Sequence, residues 1–182
     1  MTIDPFGVLA PEQRAYFLAK CARRSFCRKA TIHVAGDAVR GVWLVDQGLV
    51  GGYAYLGDRP IYQRFYREGE FVSDVASLRS GVASELTFVA LEDSELLYIR
   101  KEDMLATYEV DVAFQAFGRE VLTQLLVDGG EQTRRLMLMT PRERYASVLA
   151  NDPELVQRVP LQHLASYLGM TRETLSRVRR RV

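Results

Sequence analysis

Between Thr31 and Arg100 the apolar positions fall in short runs, "VWLVDQG", "GGYAYLG", "IYQRFY", "LTFVAL" and "ELLYIR". Turns containing Gly and Asp, such as "LGDRP" and "REGE", separate them. Runs this short, rich in Val, Leu, Tyr and Phe, predict antiparallel strands that curl into a roll or barrel. The aromatics of "GGYAYLGDRPIYQRFY" alternate at strand spacing and read as roll core and surface tyrosines. On either side of this region the period changes. Pro11 followed by "EQRAYFLAKCARRSF" predicts a short amphipathic helix with proline in its first position. Beyond Lys101 apolar residues recur at steps of three and four, placing Phe114, Phe117, Val121, Leu122 and Leu125 on one stripe. The stripe predicts a helix from Val110 to Met139, on the order of 45 Å long at 1.5 Å per residue. So long a helix carries its stripe past the roll, and two copies packed stripe to stripe would bury it, so a homodimer is expected. Gly129 and Gly130 interrupt that helix and mark a kink, a close helix crossing, or room for a ligand.

The C-terminal pattern is built from caps and turns. In "TPRERY", Thr140 can cap, Pro141 suits the first helical position and Glu143 stands where a capping box places its acid. "NDPELVQRV" predicts a further short helical turn, and Pro160 opens the last segment. Within "PLQHLASYLGMTRETLSRVRRRV", Leu161, Leu164 and Leu168 line one face of a helix, with the small Ala165 where a second helix would cross. Gly169 supplies the backbone freedom for a sharp turn, Met170 plugs the junction, and Thr171 caps a second helix whose Leu175 and Val178 face inward. That is the pattern of a helix-turn-helix. The outer face of the second helix is left with Arg172, Glu173, Ser176 and Arg177, with Arg179, Arg180 and Arg181 beyond. Arginine can donate two hydrogen bonds to guanine and a carboxylate can accept one from cytosine, while a terminal arginine cluster would neutralise phosphates.

Charge sharpens this reading. The 182 residues carry a formal net charge of +1, unevenly placed. Residues 1 to 139 hold 16 Lys+Arg against 19 Asp+Glu, and from Thr140 onward there are 8 Arg against 4 acids. A basic end on an acidic body suggests a polyanionic partner, although a solvated basic face explains the charge alone equally well. No run of 18 apolar residues suggests a membrane span. The start, "MTIDPFGVLAPEQ", lacks a signal peptide's basic and apolar regions. Together with only two cysteines, Cys21 and Cys27, this implies a reducing, cytoplasmic setting. Two thiols are too few for an iron–sulfur cluster, His33 and His163 have no partner at metal-ligand spacing, and no nucleophile elbow or phosphate-cradling glycine loop is present. No catalytic site, metal or cofactor is therefore expected.

Nearly the whole chain resembles the Crp/Fnr family of bacterial transcription regulators. "TRETLSR" is similar to the family's recognition-helix signature, and "ALEDSELLYIRKEDM" and "RVPLQHLASYLGMTRETLSRVRR" resemble its shorter members, common in Bacteroidetes, which lack the β-wing. The resemblance implies an α+β architecture. Residues 1–109 would be a cyclic-nucleotide-binding-like β-roll, 110–139 a dimerisation helix, and 140–182 a small all-α helix-turn-helix domain. It places Arg172, Glu173, Ser176 and Arg177 on base-contacting positions and Gln162 on a phosphate-contacting one; with Thr171, Arg179 and Arg180 they complete the expected DNA-binding set. In cyclic-AMP-responsive members a Gly-Glu pair and an Arg-Ser pair hold the ribose and phosphate. Here an ungapped alignment puts Ser73-Asp74 and Ser84-Glu85 in those places, and Gly129 and Gly130 where two hydroxyl residues would meet the adenine. An anionic phosphate needs a cation or backbone donors; Ser84 supplies no charge and Glu85 would repel it. The expectation is a homodimeric regulator on an inverted-repeat DNA operator, unresponsive to cyclic AMP, with RNA polymerase and an unidentified small-molecule effector as open partners. The alternative is a small-molecule-binding or protein-interaction roll whose basic end is incidental.

Overall fold

A computed structural model describes residues 5–180 of the chain. The short apolar runs form strands β1 (Ala22–Phe26), β2 (Thr31–His33), β3 (Gly41–Gln47), β4 (Val50–Leu56), β5 (Arg59–Tyr66), β6 (Phe71–Val72), β7 (Thr87–Ala90) and β8 (Ser94–Arg100). They make two four-stranded sheets, ordered β1-β8-β3-β6 and β2-β7-β4-β5. The ladder between β3 and β8 runs antiparallel from Gly41↔Arg100 to Gln47↔Glu95. Helices α1 (Pro11–Ala19), α2 (Val75–Ser80), α3 (Lys101–Val110), α4 (Val112–Leu138), α5 (Pro141–Asn151), α6 (Pro153–Arg158), α7 (Leu161–Tyr167) and α8 (Arg172–Arg179) complete the chain. This is the expected α+β fold: an antiparallel β-roll, a long helix and a set of short C-terminal helices.

Two compact units emerge. One takes residues 5–52 and 65–124, the other residues 53–64 and 125–180. The first holds the roll's core. Phe6, Phe17, Phe71, Phe114 and Phe117 are buried together with Leu44, Leu97 and Ile99. The Phe117 ring stacks on Phe6 at 5.0 Å and stands edge-on to Phe17 at 5.1 Å. A second cluster gathers Val45, Val50, Tyr66, Val72, Phe88 and Leu96.

The N-terminal helix is shorter than expected. It ends at Ala19, and Ala22–Phe26 leaves it to pair with β8, from Ala22↔Tyr98 to Phe26↔Ser94. The ladder gives every second backbone group a partner, and Phe26 gains an edge contact with Trp43 at 5.4 Å. These tertiary gains outweigh a helix preference worth only tenths of a kcal/mol per residue, about 0–0.7.

The apolar stripe of the long helix also divides differently. Phe114 and Phe117 are buried in their own subunit's core, whereas Leu122, Leu126, Val127, Met137 and Leu138 remain exposed. The helix runs unbroken through Gly129 and Gly130, and a Cβ at either would meet no atom within 4 Å. Among the described residues, neither glycine marks a helix crossing within the subunit.

Phe117→Ala would empty the centre of the phenylalanine cluster. It should cost about 3–5 kcal/mol of unfolding free energy, measured by urea denaturation; a loss below about 1 kcal/mol would mean that the cluster is loosely packed.

Candidate nucleic-acid interface

The recognition surface starts from a capped helix. Thr140 Oγ1 accepts from the Glu143 N–H at 3.4 Å while Glu143 Oε2 accepts from the Thr140 N–H at 2.8 Å, the reciprocal pair of a capping box. α5 and the helices after it share a small core in which Leu164, Leu168 and Leu175 have no exposed surface and Ala165 has 1%. Ala165 is small because α8 packs across it.

The turn between α7 and α8 is tightly specified. The Met170 N–H donates to Ala165 O and the Gly169 N–H to Ser166 O, each at 3.0 Å. These are the two bonds of a Schellman motif, and its left-handed residue is Gly169 at φ +62. A Cβ there would meet Arg144 Nη1 and Leu136 Cδ2, both at 2.9 Å. Glycine is thus required twice, by conformation and by space. Thr171 Oγ1 then accepts from the Thr174 N–H at 3.2 Å and caps α8.

The other face of α8 is open. Arg172, Glu173, Arg177, Arg179 and Arg180 are exposed, Ser176 is half-buried, and Thr171 and Gln162 are exposed beside them. Glu173 is held below the usual carboxylate range by its own backbone N–H, then by the Thr171 hydroxyl and the nearby Arg172 and Arg177 charges. It is ionised at neutral pH and can only accept hydrogen bonds. Arg177 Nη2 donates to Thr174 Oγ1 at 3.2 Å, which leaves other guanidinium donors free for a partner. Arg181 and Val182, expected to extend the basic end, lie outside the described residues.

Arg144 carries a role that the sequence pattern did not mark. Its guanidinium donates to Met139 O at 2.9 Å, Leu136 O at 2.8 Å, Leu168 O at 3.1 Å and Gly169 O at 3.3 Å. One cation thereby satisfies the carbonyl ends of both α4 and α7, where helix dipoles favour positive charge. The only local hint is a second arginine inside the capping box of "TPRERY".

Of the expected effector residues, Asp74 and Ser84 are brought together. Asp74 caps α2, accepting from the Ala76 and Ser77 N–H groups at 3.0 and 3.2 Å. Ser84, 2% exposed, donates to the other Asp74 oxygen at 2.7 Å. The N-terminal backbone donors of α2 and the Ser84 hydroxyl are thus both engaged by the Asp74 carboxylate. Ser73 Oγ donates to Gly41 O at 3.4 Å, and Glu85 is exposed. Gly129 and Gly130 are exposed residues of α4 in the other compact unit.

The cyclic nucleotide-binding domain family matches residues 23–111. The cyclic AMP receptor protein of Thermus thermophilus is 29% identical over 178 residues, covering 95% of this chain and 82% of that protein. Among solved structures, the Thermus thermophilus catabolite activator protein superposes with a TM-score of 0.64 at 26% identity, over 98% of this chain and 86% of that one. The c-di-GMP-responsive global regulator CLP of Xanthomonas campestris shares the fold, with a TM-score of 0.75 at 22% identity over 94% and 91% of the two chains. No helix among the described residues is long and apolar enough to cross a membrane.

Gly169→Ala should destabilise the C-terminal helices by about 1–3 kcal/mol, from the left-handed backbone and the displaced Arg144. Thermal melting followed by circular dichroism checks this, and an unchanged midpoint would contradict the tight turn.

Proposed function

We propose that the chain is a transcription regulator of the Crp/Fnr type, a homodimer that binds an inverted-repeat DNA operator by sequence; its residues 23–111 match the cyclic nucleotide-binding domain family. One observation carries the reading. α8 is anchored by a fully buried Leu175; Glu173, Arg177 and Arg180 stand exposed on the side away from it, and Arg172 and Arg179 are exposed at its flanks. A helix held by one face and cationic on the other suits the major groove. In this reading Arg172 and Arg177 read guanines, Glu173 and Ser176 discriminate the positions between, and Gln162, Thr171, Arg179 and Arg180 hold phosphates.

Dimerisation follows from the unburied part of α4. Leu122, Leu126, Gly129, Thr133 and Leu136 follow one another at alternating steps of four and three, the spacing of a coiled-coil seam. Leu122 and Leu126 are exposed on it, and Gly129 leaves space for a second backbone to approach. Two subunits joined there would present two copies of α8 to half-sites about 34–36 Å apart.

The roll is read as unresponsive to cyclic AMP, because Asp74 fills the place of an anion and no arginine replaces it at Ser84. Cyclic AMP at a concentration of 100 Kd would stabilise a binding protein by about 2.7 kcal/mol. Thermal melting with millimolar cyclic AMP should therefore leave the midpoint unchanged, and a rise that grows with concentration would overturn this part of the reading.

For DNA, the test is operator selection from a random library with wild type and Arg177→Ala. The variant should lose about 1–3 kcal/mol of discrimination at one position per half-site. Arg180→Ala should instead weaken operator and random duplex alike. An identical preferred sequence for wild type and Arg177→Ala would remove Arg177 from the reading face. No preference at all would favour the alternative, a ligand- or protein-binding roll.

A further inference from the structure

β5 is an edge strand, and an edge strand leaves backbone groups that must find partners outside the sheet. Two of them meet one side chain of α7. Ser166 Oγ donates to Pro60 O at 3.0 Å and accepts from the Tyr62 N–H at 3.0 Å. These two backbone groups point to the same side of the strand, and a hydroxyl can donate and accept at once. Ser166 thus stands where the next strand of the sheet would be.

His163 lies three residues earlier on the same face of α7 and stacks on the Tyr62 ring at 4.3 Å and 21°. Burial alone holds His163 below its ordinary range, so the stacked ring is neutral at pH 7. Arg64 Nη2 meets Asp128 Oδ2 on α4 at 2.6 Å, and Gln132 Nε2 of α4 donates to Tyr167 O at 2.7 Å. The hairpin tip, the end of the long helix and the first helix of the turn motif therefore form a closed triangle inside one compact unit.

We propose that Ser166, His163 and Tyr62 are positioning residues for DNA recognition: they latch α7 to the β4–β5 hairpin and so fix the direction in which α8 presents its arginines. The proposal rests on the DNA-binding reading above and adds what positions α8 within its own compact unit. The latch does not cover the reading face, since Arg172, Glu173 and Arg177 are exposed while it is closed. Its effect is therefore pre-organisation. An unlatched α7–α8 pair must lose its orientational freedom on binding an operator, whereas binding to random duplex is electrostatic and tolerates many orientations.

The experiment uses the full chain and three variants, Ser166→Ala, Ser166→Thr and Tyr62→Leu, in two measurements. Hydrogen exchange reports protection of the Tyr62 amide. Competition at one stated salt concentration reports affinity for the selected operator and for random duplex. Ser166→Ala should speed exchange at Tyr62 and weaken operator binding about tenfold, the scale of one side-chain contact, with random-duplex affinity within about twofold. Ser166→Thr, which keeps the hydroxyl, should recover both, and Tyr62→Leu should weaken operator binding through loss of the stack. Faster exchange with unchanged operator affinity would overturn the positioning role, and unchanged exchange would show that the contact is not made. If wild type itself does not distinguish operator from random duplex, the DNA-binding reading fails and the positioning role falls with it. That outcome is recognisable from wild type alone, before any variant is compared.

Discussion

The burial of Leu164, Leu168 and Leu175 decides where the guanidinium groups of α8 can go. With all three leucines out of water, α8 has one face committed to α5 and α7, and Arg172, Glu173, Arg177, Arg179 and Arg180 are left exposed. Each buried leucine is worth roughly 1.5–3 kcal/mol against exposure, enough to hold a helix of only eight residues that could not persist alone. The turn at Gly169 sets the crossing of the two helices, and Arg144 joins that turn to the end of α4 through four backbone carbonyls. Arginine density on α8 has functional meaning only because this core prevents the helix from turning over.

The proposed insensitivity of the roll to cyclic AMP rests on the same logic of groups already satisfied internally. A phosphate needs a cation or backbone donors, and here the backbone donors at the start of α2 are taken by Asp74, itself bonded to Ser84. The roll keeps its architecture while that corner is closed internally. A match to the cyclic nucleotide-binding domain family describes the strands and leaves ligand chemistry to the individual residues.

Much of this was legible in the sequence, because the signals were local. The strand runs, the capping box at Thr140 and the turn at Gly169 each depend on neighbours within about five residues. What escaped depended on contacts distant in sequence. Ala22–Phe26 reads as helix until β8, some seventy residues on, supplies its ladder. Phe114 and Phe117 share a stripe with Leu122, but only the packed N-terminal segment shows that the phenylalanines already have partners. Tyr62 reads as one more strand aromatic, and its stack with His163 spans about a hundred residues. Arg144 could be found only by locating the carbonyls it satisfies. Of the eight residues expected to touch DNA, seven are exposed and Ser176 is half-buried; their exposure was legible because helix period and turn position determine a helix face directly.

The most direct measurement of the central claim is the ratio of affinities of the wild-type protein for its selected inverted repeat and for a scrambled duplex of equal length, at one stated salt concentration. An anchored helix that reads bases predicts a ratio of about 10³ or more. A ratio near one, with both affinities falling together as salt rises, would show α8 to be a basic surface without sequence recognition and would contradict the account.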